Sequence, residues 1–158
     1  MEKLKIYIES TLFNTFFDDE STERRFYTHK LFKQIEEGKF EAFFSDLVIE
    51  ELRNTEEPKK IHMLSLLSEY KMQKLKSNSD IVRLADLYVK EDVVLQGRRL
   101  DALHIALVSF YGLDVLVSYN CRQIVRVKSF LLANTVNKRE GYKDIILNTP
   151  EEVIDYDD

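Results

Sequence analysis

Arg98-Arg99-Leu100-Asp101-Ala102-Leu103-His104-Ile105-Ala106-Leu107-Val108-Ser109-Phe110-Tyr111-Gly112, followed without a break by Leu113-Asp114-Val115-Leu116-Val117-Ser118, is the stretch on which the fold turns. In its first part Leu100, Leu103, Leu107 and Val108 recur at three- and four-residue steps, which predicts a helix over 98–111 with those side chains inward. Gly112 is placed to end that helix, because glycine enters the left-handed conformation without penalty. The second part is a short apolar run rich in valine and leucine, the pattern of a buried strand. A helix feeding straight into such a strand is half of a βαβ unit, and units of that kind build parallel sheets.

Working outward, the same alternation recurs. Leu4 to Ile8 reads as a first strand, and Lys39 to Phe44 as a second. Between them, Ser21 or Thr22 can cap a helix carrying Tyr27, Leu31 and Ile35, with Gly38 at its end. Ser45 or Asp46 can cap the next helix, which places Glu51 one to two turns in, and Pro58 suits the first turn of another that carries Ile61, Leu64 and Leu67. Ser79 or Asp80 starts a helix with Val82, Ala85 and Val89 on one face. Near the C-terminus the pattern predicts a helix over 129–140 with Phe130, Leu131, Ala133, Asn134 and Asn137 in its apolar period, a stop at Gly141 and a strand at Ile145-Ile146-Leu147. Thr149-Pro150-Glu151-Glu152 combines a capping box with proline at the first helical position. The expected fold is a three-layer α/β/α sandwich with a mainly parallel sheet, one domain over 1–154, and an acidic tail over 155–158 that frays.

Bulk composition narrows the function classes. At 158 residues, 44% hydrophobic and 32% charged, the chain suits one globular domain with a core of its own. No apolar run is long enough to span a bilayer, and the N-terminus lacks the pattern of a signal peptide, so a cytoplasmic location with no membrane partner is expected. Cys121 is the single cysteine and there are three scattered histidines, which excludes an intrachain disulfide and argues against a structural zinc. With a net charge of −5 and a pI near 5.3, nucleic acid must be held by a local patch or through a metal. Four scattered glycines supply neither a dinucleotide turn nor a P-loop.

Acidic residues stand at the edges of widely separated apolar segments: Glu9 after Ile6-Tyr7-Ile8, Glu51 after Ser45-Asp46-Leu47-Val48-Ile49-Glu50, and Asp101 before Ala102-Leu103-His104. Strands of a parallel sheet end at one edge, so residues just beyond those ends converge. Three gathered carboxylates resist ionising together unless a cation compensates them, and oxygen ligands suit Mg²⁺ or Mn²⁺. Taken singly, Asp101 is explained by the helix dipole, Glu9 as a strand-end residue and Glu51 as one of a solvated pair with Glu50. Their order along the chain, with Asn120 closing the later strand, is what those separate explanations leave to coincidence.

Four segments carry a resemblance: Ile6-Tyr7-Ile8-Glu9-Ser10-Thr11, Ser45-Asp46-Leu47-Val48-Ile49-Glu50-Glu51-Leu52, Asp101-Ala102-Leu103-His104-Ile105-Ala106-Leu107 and Leu116-Val117-Ser118-Tyr119-Asn120. In order and spacing they resemble the signature segments of PIN-domain proteins, and Gly141-Tyr142-Lys143-Asp144-Ile145-Ile146 through Thr149-Pro150-Glu151-Glu152-Val153 is similar to the ending of one subgroup. The resemblance implies a PIN-like fold and a metal-dependent endoribonuclease of the VapC toxin type. It implies Glu9, Glu51 and Asp101 as holders of Mg²⁺ or Mn²⁺, and Glu9, Glu51, Asp101 and Asn120 as the catalytic set. Asp101 is its candidate to orient or deprotonate the attacking water, with Ser10, Thr11 and Ser118 bonding waters around the metal. Arg98, Arg99 and Arg122 are candidates for phosphate contacts, against the simpler reading of surface arginines. The implied partners are an RNA substrate, an antitoxin protein and a second copy of the chain. Apolar Met63, Leu66 and Leu67 on more than one helix face also point to a homodimer.

The chain departs from the family pattern in three places. Glu9 stands where the pattern has Asp and is expected to move the charge outward by one methylene, Asn120 replaces a frequent Asp while keeping an oxygen, and Gln123 occupies a further acidic position. Those departures support the alternative of a PIN-like module that binds RNA or a protein without cutting. A thiol-hydrolase reading through Cys121 and His104 requires the two side chains to touch.

Overall fold

The computed structural model describes residues 2–157; Met1 and Asp158, the outer ends of the expected domain and tail, lie outside the described residues. Strands β1 (Leu4–Ile8), β2 (Phe40–Ser45), β3 (Met72–Leu75), β4 (Val115–Val117) and β5 (Ile146–Asn148) form one sheet in the order β3-β2-β1-β4-β5, and every pairing is parallel. The helices among the described residues are α1 (Ser10–Thr15), α2 (Thr22–Glu36), α3 (Asp46–Arg53), α4 (Lys59–Glu69), α5 (Ser79–Lys90), α6 (Arg99–Phe110), α7 (Val127–Glu140) and α8 (Pro150–Val153). Crossovers between parallel strands are right-handed, so α1 to α4, which lead outward to β2 and β3, take one face and α5 to α7, which lead back to β4 and β5, take the other. The helix contacts follow that division: α1 packs on α2, α3 and α4, and α5 packs on α6 and α7. Covered on both faces, the end of β1 (Ile6, Tyr7, Ile8) and Leu116 and Val117 of β4 are fully buried, which is why these strands read as continuous apolar runs.

Two elements escape the sequence pattern. Strand β3, Met72-Gln73-Lys74-Leu75, is an edge strand, and its polar middle residues face solvent. Helix α1 follows Glu9 immediately, although all of its residues except Leu12 are modest helix formers. It is held by the Glu9 side chain, which accepts from the Thr11 N–H, and by full burial of Leu12 and Phe13.

Several helix faces differ in part from those expected. Leu107 and Val108 of α6 and Ala85 of α5 are buried as expected, but Leu100 and Val82 are partly exposed, and Ala102, Ile105 and Ala106 of α6 and Ile81, Leu84 and Tyr88 of α5 also turn inward, because these two helices pack on each other as well as on the sheet. Ile61 is exposed, whereas Met63 and Leu66 are buried in the chain's own core and Leu67 is partly buried against it, so of the apolar residues expected at a homodimer contact Met63 and Leu66 are not open to a second copy. Helix α7 begins at Val127 and turns Ser129, Ala133, Val136 and Asn137 inward, leaving Phe130 and Leu131 exposed.

The caps differ in detail. Asn78, not Ser79 or Asp80, caps α5 through Ile81 N at 2.9 Å, whereas Ser45 caps α3 through Leu47 N at 3.2 Å as expected. Thr149 makes no side-chain cap, so the capping box is absent, although Pro150 does open α8. Gly141 ends α7 with φ +87°, and Gly38 follows α2 with φ +80°. Asp155 does not fray: its N–H and C=O pair with the amide of the buried Gln34 at 2.9 and 2.8 Å.

Candidate active site

In the order β3-β2-β1-β4-β5 the chain's direction of travel reverses between β1 and β4, and the crevice outside the C-terminal ends of two such strands is where α/β sheets bind ligands. Glu9 leaves the end of β1, Asn120 follows β4, Asp101 sits in the first turn of α6, and Glu51 lies near the end of α3. All four line one cleft of about 330 Å³ with Ser10, Thr11 and Asn14.

Each carboxylate is anchored through one oxygen. Glu9 Oε1 accepts from Thr11 Oγ1 at 2.6 Å, Thr11 N at 3.2 Å and Ser118 Oγ at 2.6 Å. Glu51 Oε1 accepts from Ser10 Oγ at 2.5 Å and His104 Nε2 at 2.6 Å. Asp101 Oδ1 accepts from Asn120 Nδ2 at 3.1 Å. The second oxygen of each takes no hydrogen bond from the described residues, so three half-occupied carboxylates share one cleft. Ligand atoms of Glu9, Glu51 and His104 lie within 4.8 Å of one another; Asp101 lines the cleft outside that group.

The environments of these acids differ. Burial opposes ionisation of Glu51, but the hydrogen bond and charge of His104, with the Ser10 hydroxyl, outweigh it and hold the carboxyl below its ordinary range. Burial and then the Glu9 charge push Asp101 up, against the pull of His104 and Arg98. For His104 burial favours the neutral ring, but the Glu51 hydrogen bond and the charges of Glu9, Glu51 and Asp101 prevail and raise its pKa.

The side chains take specific directions in the cleft. Glu9 does not reach outward: it is almost fully buried and folds back onto the start of α1, so its extra methylene is absorbed in the capping ring. Ser10, Thr11 and Ser118 donate directly to the carboxylates of Glu51 and Glu9. Asn120 turns its oxygen to Gln123 N at 3.2 Å and its amide nitrogen to Asp101 at 3.1 Å, so it clamps one of the acids. Gln123 faces Leu95 N at 3.2 Å, away from the cleft.

Of the arginines, Arg99 is paired with Asp86 at 3.0 Å, Arg98 lies close enough to lower the Asp101 pKa, and Arg122 is exposed. Cys121 is exposed whereas His104 is fully buried with both nitrogens engaged by Tyr7 and Glu51, so no thiol–imidazole pair exists. Sequence reasoning missed Tyr7 and Ser45, which lie behind His104. The available signal was their position at the C-terminal ends of β1 and β2, where polar groups gather.

No protein-family model matches the chain, and no curated protein matches it by sequence. Solved structures do match by fold. VapC20 of Mycobacterium tuberculosis, a sarcin-ricin loop cleaving toxin, aligns over 73% of this chain and 90% of its own at 12% identity and a TM-score of 0.57. VapBC2 of Rickettsia felis, solved bound to a DNA fragment from its promoter, aligns over 92% of this chain and 98% of its own at 10% identity and a TM-score of 0.58. The fold is that of the VapC toxins. A tyrosyl-tRNA synthetase from Archaeoglobus fulgidus, complexed with L-tyrosine, matches less well, at a TM-score of 0.51 and 16% identity, and the chain covers 55% of its length. The PIN-like architecture expected from the four segments is therefore met, with the sheet parallel throughout rather than mainly so.

Proposed function

We propose that this chain is a divalent-cation-dependent endoribonuclease of the VapC type. The observation that supports it is the set of three carboxylates, Glu9, Glu51 and Asp101, each hydrogen-bonded through one oxygen and lining one cleft at the switch point of the sheet. An all-oxygen set of this kind suits Mg²⁺ or Mn²⁺. When bound, such a cation supplies Lewis acidity, lowering the pKa of a water and offsetting phosphate charge.

The chain's own residues divide the remaining work. Glu51, held below its ordinary range, stays ionised as a ligand; Asp101, raised by burial and by Glu9, is the better proton acceptor for the attacking water. Asn120 keeps the Asp101 carboxylate turned to the cleft. Arg98 and Arg122 are the candidates for flanking phosphates, since Arg99 is already paired.

VapC20 is a sarcin-ricin loop cleaving toxin; the same reading gives this chain an RNA substrate in the cytoplasm, a small antitoxin partner and a homodimeric state. Among the described residues no helix is long and apolar enough to cross a membrane. If two copies pair, the exposed apolar side chains open to them are Val127, Leu131 and Ile146 on α7 and β5, and Ile61 on α4.

The test is cleavage of single-stranded RNA with Mn²⁺ or Mg²⁺, abolished by chelation and by Asp101→Asn. A specific observation favours a second reading: Asn120 and Gln123 both direct their side chains to protein groups where the family pattern carries acids. RNA binding without cleavage in either metal would establish that binding-module reading and refute the nuclease.

A further inference from the structure

Behind the cleft runs a line of buried polar contacts that the nuclease chemistry does not itself use. Ser45 Oγ lies 2.7 Å from Tyr7 Oη, and Tyr7 Oη lies 2.7 Å from His104 Nδ1. The opposite ring nitrogen, Nε2, lies 2.6 Å from Glu51 Oε1. Ser45, Tyr7 and His104 are all fully buried and come from β2, β1 and α6. No buried side-chain nitrogen or oxygen is left without a partner among the described residues.

Proximity alone would make His104 a ligand, since its ligand atom lies within 4.8 Å of those of Glu9 and Glu51. The hydrogen-bond chemistry says otherwise. An ionised carboxylate only accepts, so Nε2 carries a hydrogen toward Glu51 whether the ring is neutral or charged. A protonated nitrogen has no lone pair for a cation, and Nδ1 faces the interior through Tyr7. The ring is therefore fixed at both ends, and what it fixes is the choice of Glu51 oxygen.

We propose that Ser45, Tyr7 and His104 form a positioning chain for Glu51, which holds Oε1 against the ring so that Oε2 is the oxygen turned to a divalent cation. The proposal rests on the divalent-cation reading of the cleft. His104 is a positioning residue in it and not a ligand. Partners behind a metal ligand commonly change affinity by about 10- to 100-fold when removed.

Glutamine and asparagine separate the two ring nitrogens, because a glutamine amide nitrogen lies near the place of Nε2 and an asparagine amide nitrogen near that of Nδ1. Mn²⁺ dissociation constants, read as free Mn²⁺ by electron paramagnetic resonance, are measured for the full chain, His104→Gln, His104→Asn and Tyr7→Phe, with a melting temperature for each. His104→Gln keeps the donor to Glu51 and binds Mn²⁺ close to wild type. His104→Asn weakens binding about 10- to 100-fold, at a melting temperature close to that of the glutamine variant. Tyr7→Phe weakens it less, since Glu51 keeps its donor but the ring loses its anchor.

Equal losses in both His104 variants would make the histidine a ligand or a plain packing residue and overturn the proposal. So would unchanged affinity in His104→Asn. A second arm needs no metal: with chelator present, proton NMR should show a slowly exchanging His104 Nε2–H that disappears in Glu51→Ala. If wild type binds no Mn²⁺, the cation reading fails, and the metal role proposed for the chain fails with it. Presence of that proton resonance would then show that the histidine–glutamate contact persists without a metal function, and its absence would refute the contact as well.

Discussion

Replacing Tyr7 by phenylalanine removes one oxygen and almost nothing else, and the structure fixes what that oxygen does. It lies 2.7 Å from Ser45 Oγ and 2.7 Å from His104 Nδ1, in a region closed to water. The two partners are not equally dependent on it. Ser45 Oγ retains Leu47 N at 3.2 Å, so its loss is about that of one net hydrogen bond, roughly 1 kcal/mol. His104 Nδ1 has no other partner among the described residues and becomes a buried, unsatisfied nitrogen, at a cost of about 1–3 kcal/mol. Together the change destabilises the fold by about 3 kcal/mol, which for a domain of this size lowers the melting temperature by roughly 6 to 12 °C.

The assay is thermal and urea unfolding of Tyr7→Phe beside Tyr111→Phe. The Tyr111 hydroxyl also makes a good bond, to Lys76 O at 2.6 Å, but an exposed one, so water replaces it and the loss stays within about 1 kcal/mol. A fall in the urea midpoint with an unchanged slope would assign the effect to the native contacts. Equal, small shifts in both variants would refute the argument, because they would mean that the buried chain of hydroxyls and imidazole contributes no more than a solvated hydrogen bond.

Other outcomes follow from the same structure. A divalent cation at about 100 times its dissociation constant should stabilise the fold by about 2.7 kcal/mol, or roughly 5 to 10 °C, and differential scanning fluorimetry of Glu51→Gln should show most of that rise lost; an unchanged melting curve in wild type would argue against a cation site. Asp114, held below its ordinary range by Lys143 and by the Lys5 N–H in spite of the desolvation that opposes it, contributes stability that is present above the pKa of the unfolded side chain and is lost as pH falls through the lowered folded value. Asp114→Asn should therefore lose stability relative to wild type at neutral pH by no more than about 1 kcal/mol, and the gap should close in acid; a gap that widens in acid would contradict this sign. Asn134 pins the residue that leads into edge strand β5 by bonding both Ile145 N at 2.8 Å and Ile145 O at 3.0 Å, so Asn134→Ala should cost about 1–2 kcal/mol, read as a lower urea midpoint; an unchanged midpoint would contradict this.

The architecture was legible wherever burial on two faces forces apolar runs, as in Ile6-Tyr7-Ile8 and Val115-Leu116-Val117. It was illegible at β3, where an edge strand needs only one covered face, and at α1, whose existence depends on tertiary burial of Leu12 and Phe13 and not on propensity. In the candidate site the placement of Glu9, Glu51, Asp101 and Asn120 could be read from strand and helix ends, because topology carries such ends to one edge. The direction of each side chain could not. Whether Asn120 presents its oxygen or its amide depends on Gln123 N, a backbone group three residues on, and whether Glu9 reaches out or folds back depends on Thr11 and Ser118. Those are questions of local hydrogen-bond closure, which residue type leaves open.

The same closure explains why the histidine stands beside Glu51 and not beside either of the other acids. Glu9 caps the start of α1 and receives a backbone N–H there, and Asp101 lies in the first turn of α6; both sit at the positive ends of helix dipoles. Glu51 sits in the last turns of α3, the end where exposed carbonyls make a carboxylate unwelcome. Of the three acids it is thus the one without help from its own helix, and it is the one in contact with a buried imidazole and the Ser10 hydroxyl. Helix position favours a carboxylate at Glu9 and Asp101, although burial and the Glu9 charge still push Asp101 up, and a side chain brought from the opposite face of the sheet supports Glu51. Moving the histidine's donor away from Glu51 should therefore disturb that acid first, while Glu9 and Asp101 keep their own anchors.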